Sequence, residues 1–152
     1  MQDMDAAIGE AGDLERLGKA LRDSYGLQTS ELRALAHVGH LKLMAGDFAG
    51  AQRIYCLLVV MAPDDVGFQI GLADASIALG HFDLALQAAA AVIAALPTDP
   101  RGYFISGRAC LGLGLAEEAR EDLADAIRLS RVPDDAGIRQ RAERILALSD
   151  RG

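Results

Sequence analysis

Two histidines three residues apart on one helix can bring both imidazoles to a single metal ion, and His37 and His40 have that spacing. A metal site needs three or four ligands, and no third or fourth ligand accompanies this pair, so the expectation is no metal and a structural or solvent-facing role. A thiol such as Cys110 becomes a nucleophile only beside a base that activates it, and no histidine stands in matching context. The run Gly107-Arg108-Ala109-Cys110-Leu111-Gly112-Leu113-Gly114 has the glycine content of a phosphate-cradling loop. It lacks both the preceding strand and the Gly-Lys-Ser/Thr ending which that chemistry requires, and it reads as a helix closing on a glycine cap. The acidic pairs Asp64-Asp65 and Asp134-Asp135 suit helix caps better than acid/base catalysis. The expectation is a protein that is not an enzyme and uses no cofactor.

The elements that would carry a function are set by composition and then by pattern. The chain has 152 residues, enough for one domain with its own core. It is 51% hydrophobic but only 5% aromatic, with no Trp, which predicts a core of Ala, Leu, Ile and Val packed between helices. A formal net charge of −7 repels a phosphate backbone and argues against nucleic acid as a partner. Cys56 and Cys110 form no Cys-x-x-Cys motif and read as buried thiols in a reducing compartment. The start Met1-Gln2-Asp3-Met4-Asp5 is acidic and leads into no apolar signal segment, so a cytoplasmic protein is expected. The most apolar run, Leu84 to Leu96, falls short of the roughly 20 residues that cross a bilayer and ends at Pro97; no membrane span is expected.

A repeat organises the rest. Gly46, Gly80 and Gly114 are spaced by 34 residues, as are Ala51, Ala85 and Ala119, and as are Pro63 and Pro97. That period is the one of the tetratricopeptide repeat, two antiparallel helices per unit. The glycine ends the first helix of each pair in a tight turn, the alanine sits where the helices cross, and the proline stops the second helix. Leu35, Val38, Leu72 and Tyr103 occupy apolar sites of the first helices, and Asp64 or Asp65, then Asp99 before Pro100, supply N-caps. The first helices are predicted at about 31–45, 65–79 and 99–113 and the second at about 47–61, 81–95 and 115–130. The fold expected is an all-α solenoid of one domain, 1–152, with an N-terminal helical segment at 1–30, repeats at 31–64, 65–98 and 99–132, and a C-terminal helix at 133–152. The stripe Leu14, Leu17, Leu21 and the stripe Ile138, Ala142, Ile145, Leu146 are suited to cap the two ends of the stack. The N-terminal stripe could instead pair with its counterpart on a second copy.

In such a stack the first helix of each repeat lines a concave groove. The residues expected there are Ala36, His40, Leu43 and Met44 from the first repeat, Ile70, Asp74 and Ile77 from the second, and Phe104, Arg108 and Leu111 from the third, with Arg33, Gly67, Ala78, Arg101 and Gly112 on the same faces. Apolar side chains interspersed with a few charges suit an extended or helical peptide that inserts its apolar residues into pockets. The same spacing also serves helices sealed against one another.

The segments Val66-Gly67-Phe68-Gln69-Ile70-Gly71-Leu72-Ala73-Asp74-Ala75, Leu79-Gly80-His81-Phe82-Asp83-Leu84-Ala85 and Asp99-Pro100-Arg101-Gly102-Tyr103-Phe104, leading to Cys110-Leu111, resemble the translocator chaperones of bacterial type III secretion, the SycD/LcrH class. The resemblance runs from about Leu32 to Leu129. It implies a cytoplasmic chaperone that holds a hydrophobic translocator or other exported protein before export, with a short N-terminal client segment in the groove. It further implies a homodimer through the N-terminal helix and, in some members, a transcriptional activator as a second partner. Several members carry Tyr or Phe where this chain has Ala36, His40 and Leu43, which makes the first-repeat pockets wider or shallower. A general tetratricopeptide adaptor with no role in secretion is the alternative.

Overall fold

A computed structural model describes the backbone of residues 2–150 and the side chains of residues 12–150. Within it the chain forms helices α1 (Gln2–Ser24), α2 (Thr29–Met44), α3 (Phe48–Met61), α4 (Val66–Ala78), α5 (Phe82–Ala95), α6 (Pro100–Gly112), α7 (Ala116–Leu129) and α8 (Ala136–Ser149), with one 3-10 turn, Pro133–Asp135, before α8. No strand occurs among the described residues. The three hairpins α2–α3, α4–α5 and α6–α7 follow the 34-residue period.

Each hairpin closes in the same way. Gly46, Gly80 and Gly114 have φ of 80°, 75° and 76°, the left-handed region where a Cβ is strained. In the first hairpin Asp47 N–H donates to the Lys42 carbonyl at 2.9 Å and Gly46 N–H to Leu43 at 3.1 Å, the two bonds of a Schellman turn, and the other hairpins repeat them. Gly26 ends α1 with the same pair of bonds, a fourth such turn outside the 34-residue register. Asp47, Asp65 and Asp99 then cap the following helices, accepting from Gly50, Phe68 and Arg101 N–H. Lys42 and the Gly50 amide together hold the Asp47 carboxyl below its usual range. Helix α2 begins earlier than the apolar pattern implies, because Gln28 and Glu31 form a capping box, with Gln28 N–H donating to Glu31 Oε2 at 2.6 Å. Asp134 and Asp135 do not cap by hydrogen bond: they form the 3-10 turn, and α8 starts without a side-chain cap.

The crossing alanines, Ala51, Ala85 and Ala119, are fully buried. A second small-residue series in the same register, Gly39, Ala73 and Gly107, is buried as well. A Cβ on Gly107 would lie 2.7 Å from Leu123 Cγ and 3.3 Å from the Ala119 carbonyl. Tyr55 of α3 lodges its ring between Gly39 of α2 and Gly71 of α4, and its hydroxyl donates to the Ala36 carbonyl at 3.2 Å. Leu58, Val92 and Leu123 are fully enclosed, each contributing about 1.5–3 kcal/mol by burial. Val38, expected at an apolar site of its helix, is 43% exposed.

Helices α2, α4 and α6 pack side by side, whereas α3, α5 and α7 pack on them without comparable contact with one another. The stack therefore curves with α2, α4 and α6 on its inner side. At its C-terminal end α8 packs on α6 and α7, with Ala142 buried and Ile138, Ile145 and Leu146 half-buried against Phe104 and Leu123, the capping role expected of them. At the other end α1 packs on α3 and does not use the whole expected stripe. The close approach is at Gly18, whose missing side chain leaves room for the Val60 carbonyl. Leu21 turns inward, but Leu14 and Leu17 remain 54% and 52% exposed, because the contact face is centred a fraction of a turn away from them.

A polar cluster lies inside the third hairpin. Ser106 Oγ donates to Asp122 Oδ2 at 2.6 Å, and burial, together with neighbouring Asp125 and Glu118, raises the Asp122 carboxyl above its usual range despite that bond. A carboxyl that holds its proton more tightly folded than unfolded lowers stability as pH rises through its folded pKa. The urea midpoints of the wild type and of Asp122→Asn are thus expected to coincide near pH ~4 and to part toward neutrality, with the Asn variant the more stable. Parallel curves would show that Asp122 does not carry this cost.

Candidate functional site

A pocket lies on the inner side where three helices meet. Ile70 and Asp74 of α4, Arg101, Phe104 and Ile105 of α6, and Ile138 and Arg141 of α8 enclose about 170 Å3. The 3.6-residue period brings Ile70 and Asp74, and Arg101, Phe104, Ile105 and Arg108, to the inner faces of adjacent helices. Asp74 and Arg108, one repeat apart, pair across α4 and α6 at 3.5 Å. Burial dominates both groups: it raises the Asp74 carboxyl although Arg108 and Arg141 oppose the shift, and it lowers Arg108 although Asp74 opposes that.

Phe104 lines this pocket but is only 4% exposed, because its ring also packs with Leu123, Ala126 and Ala142. Two guanidinium groups cover it, Arg108 at 5.6 Å and Arg141 at 4.8 Å from the ring centre. Of the ten residues expected in the groove, Ile70, Asp74, Phe104 and Arg108 come together here. Leu43 and Ile77 are half-buried against the main core, and Leu111 against the C-terminal cluster. Ala36 is also half-buried, its carbonyl taken by Tyr55. His40 is exposed and Met44 is 75% exposed, and neither reaches the pocket. Ile138 and Arg141 were legible only as part of a capping helix.

The residues suited to chemistry are placed differently. His37 and His40 are both exposed, and no group of three or more His, Cys, Asp or Glu side chains among the described residues could hold a metal. Burial raises the Cys56 thiol, and burial together with Asp122 raises Cys110, so both disfavour the thiolate that nucleophilic attack requires. Gly107 to Gly112 lie within α6, and Gly114 makes its closing turn, so this run is no phosphate loop. No helix among the described residues is long and apolar enough to cross a membrane.

Residues 42–103 match the tetratricopeptide repeat family. No curated protein sequence matches the chain. Among solved structures, a chain of a T3SS complex from Aeromonas hydrophila is 26% identical with a TM-score of 0.77, covering 99% of this chain and 96% of its own. PcrH from Pseudomonas aeruginosa is 25% identical with a TM-score of 0.76, covering 82% of this chain and 95% of its own. A structure of PcrH in complex with the chaperone binding region of PopD gives the same figures, 25% and 0.76. The type III secretion translocator chaperone SycD of Yersinia enterocolitica is similar in fold, at 22% identity and a TM-score of 0.75, covering 84% of this chain and 96% of its own. This chain carries tetratricopeptide repeats and has the fold and helical layout of the type III secretion translocator chaperones.

Proposed function

We propose that this chain is a secretion chaperone of the bacterial cytoplasm that binds a translocator or another hydrophobic exported protein and holds it, without catalysis, until type III export. The observation that carries the reading is the apolar pocket between α4, α6 and α8 on the inner side of a fold shared with a chaperone crystallised with the binding region of its translocator. An anchor side chain buried there contributes roughly 1.5–3 kcal/mol, and ordering a flexible segment costs about 2–5 kcal/mol. A few anchors thus give affinity that an export machine can reverse. The repeats at 31–64, 65–98 and 99–132 act as one domain, and the outward-facing Leu14 and Leu17 of α1 offer a surface to a second copy.

Co-expression with the products of neighbouring genes, followed by affinity capture, tests this reading. The expected catch is an exported protein with long apolar segments that is insoluble alone. Ile70→Asp, which places a charge at the pocket wall, is expected to weaken that capture at least about tenfold, as loss of a central anchor does, with helical content unchanged. Recovery of folded soluble proteins alone would identify a general adaptor instead.

A further inference from the structure

The pocket has a charge pattern that an apolar anchor alone does not use. Three arginines converge on it. Arg101 is held by Asp99 through Nε and Nη2 at 2.7 to 3.1 Å and faces Asp135. Arg108 reaches Asp74 at 3.5 Å. Arg141 sits over Phe104, its guanidinium carbon 4.8 Å from the ring centre, and makes no ion pair among the described residues. It stands close enough to bias both neighbours, drawing the Asp74 carboxyl down and opposing the charge on Arg108. Asp74 is thus taken by Arg108 and Asp99 by Arg101, and Arg141 lines the pocket with no carboxylate bonded to it among the described residues.

Resting on the groove reading above, we propose that Arg141 selects the client: it pairs with an acidic side chain flanking the apolar residue that enters between Ile70, Ile105 and Ile138. The ring beneath the guanidinium restrains it, and its N–H groups, bonded to no carboxylate among the described residues, can donate to one. Because Arg141 comes from α8, the pairing also sets which end of the segment lies toward that helix. Helix α8 is thus part of the recognition surface as well as the cap of the stack.

The test is selection from a random peptide library displayed on phage, against the full-length wild type, Arg141→Gln, Arg141→Glu and Ile70→Asp, each checked for unchanged helical content. With the wild type, Asp or Glu is expected at a fixed offset from an apolar residue. That enrichment disappears with Arg141→Gln and turns to Lys or Arg with Arg141→Glu. Changing the acidic residue of a selected peptide to its amide is expected to weaken wild-type binding about fivefold and Arg141→Gln binding by less than about twofold. Apolar-anchored peptides that need Ile70 but show no acidic preference would overturn the role of Arg141 and leave the groove reading standing. Failure to select any peptide that depends on Ile70 would overturn the groove reading and this inference with it.

Discussion

Phe104→Ala is expected to cost about 3–5 kcal/mol, the range for removing a buried aromatic side chain, and to lower Tm by roughly 6–20 °C for a chain of this size. Phe104 is 4% exposed and joins Leu123 and Ala126 of α7 to Ala142 of α8, so its loss opens a cavity where three helices meet. A domain whose whole stability is about 5–15 kcal/mol would retain only part of it. Alanine isolates the packing contribution better than aspartate, since a carboxylate at 104 would meet the guanidinium groups of Arg108 and Arg141. Ile70→Asp should cost less stability than this and impair client capture more, because Ile70 is half-buried, packing on the main core and walling the pocket at once. Thermal melts of both variants check this. A Phe104→Ala protein melting within about 2 °C of wild type would show that the ring is not part of the core.

Gly107→Ala is the second large effect. The new Cβ would lie 2.7 Å from Leu123 Cγ and 3.3 Å from the Ala119 carbonyl, and both partners belong to residues with no exposure. Neither can move without separating α6 from α7, and overpacking of this kind costs about 1–3 kcal/mol or more. The same chemical change has the other sign at Gly137, in α8, where nothing lies within 4 Å. Gly137→Ala, in the first turn of α8, is expected to stabilise by a few tenths of a kcal/mol, up to about 0.5, through helix propensity alone. Urea midpoints of the two variants moving in opposite directions would establish that space, and not the loss of glycine, decides the outcome. Equal shifts would refute the packing argument.

The hairpins were legible because their causes are local and recur. A positive φ at Gly46, Gly80 and Gly114, and a crossing without room for more than a methyl at Ala51, Ala85 and Ala119, each impose a residue type at a fixed interval. The series Gly39, Ala73, Gly107 carried the same register and could have been read with them. The site was less legible because it is completed by residues outside that register. Arg141 and Ile138 come from α8, which has no counterpart in the repeats, and a single stripe of apolar residues does not say which neighbouring side chains reach round to the inner face. Met44 and His40 have the spacing of groove residues, but α2 is the first helix of the inner row and α1 packs on α3, so among the described residues no further inner helix makes a wall for them. The outward turn of Leu14 and Leu17 was hidden because Gly18, which carries no hydropathic signal, determines how closely α1 can lie on α3.

Tyr55 belongs to the outer row of helices, yet its ring fills the gap between Gly39 and Gly71 of the inner row. It is a shim driven in from the back of the molecule. The separation of α2 from α4, and so the gauge of the groove at its N-terminal half, is fixed by a side chain that no groove-bound segment needs to touch. Related chains can therefore change what fits in front by altering the thickness of a ring behind, with every groove residue left as it is.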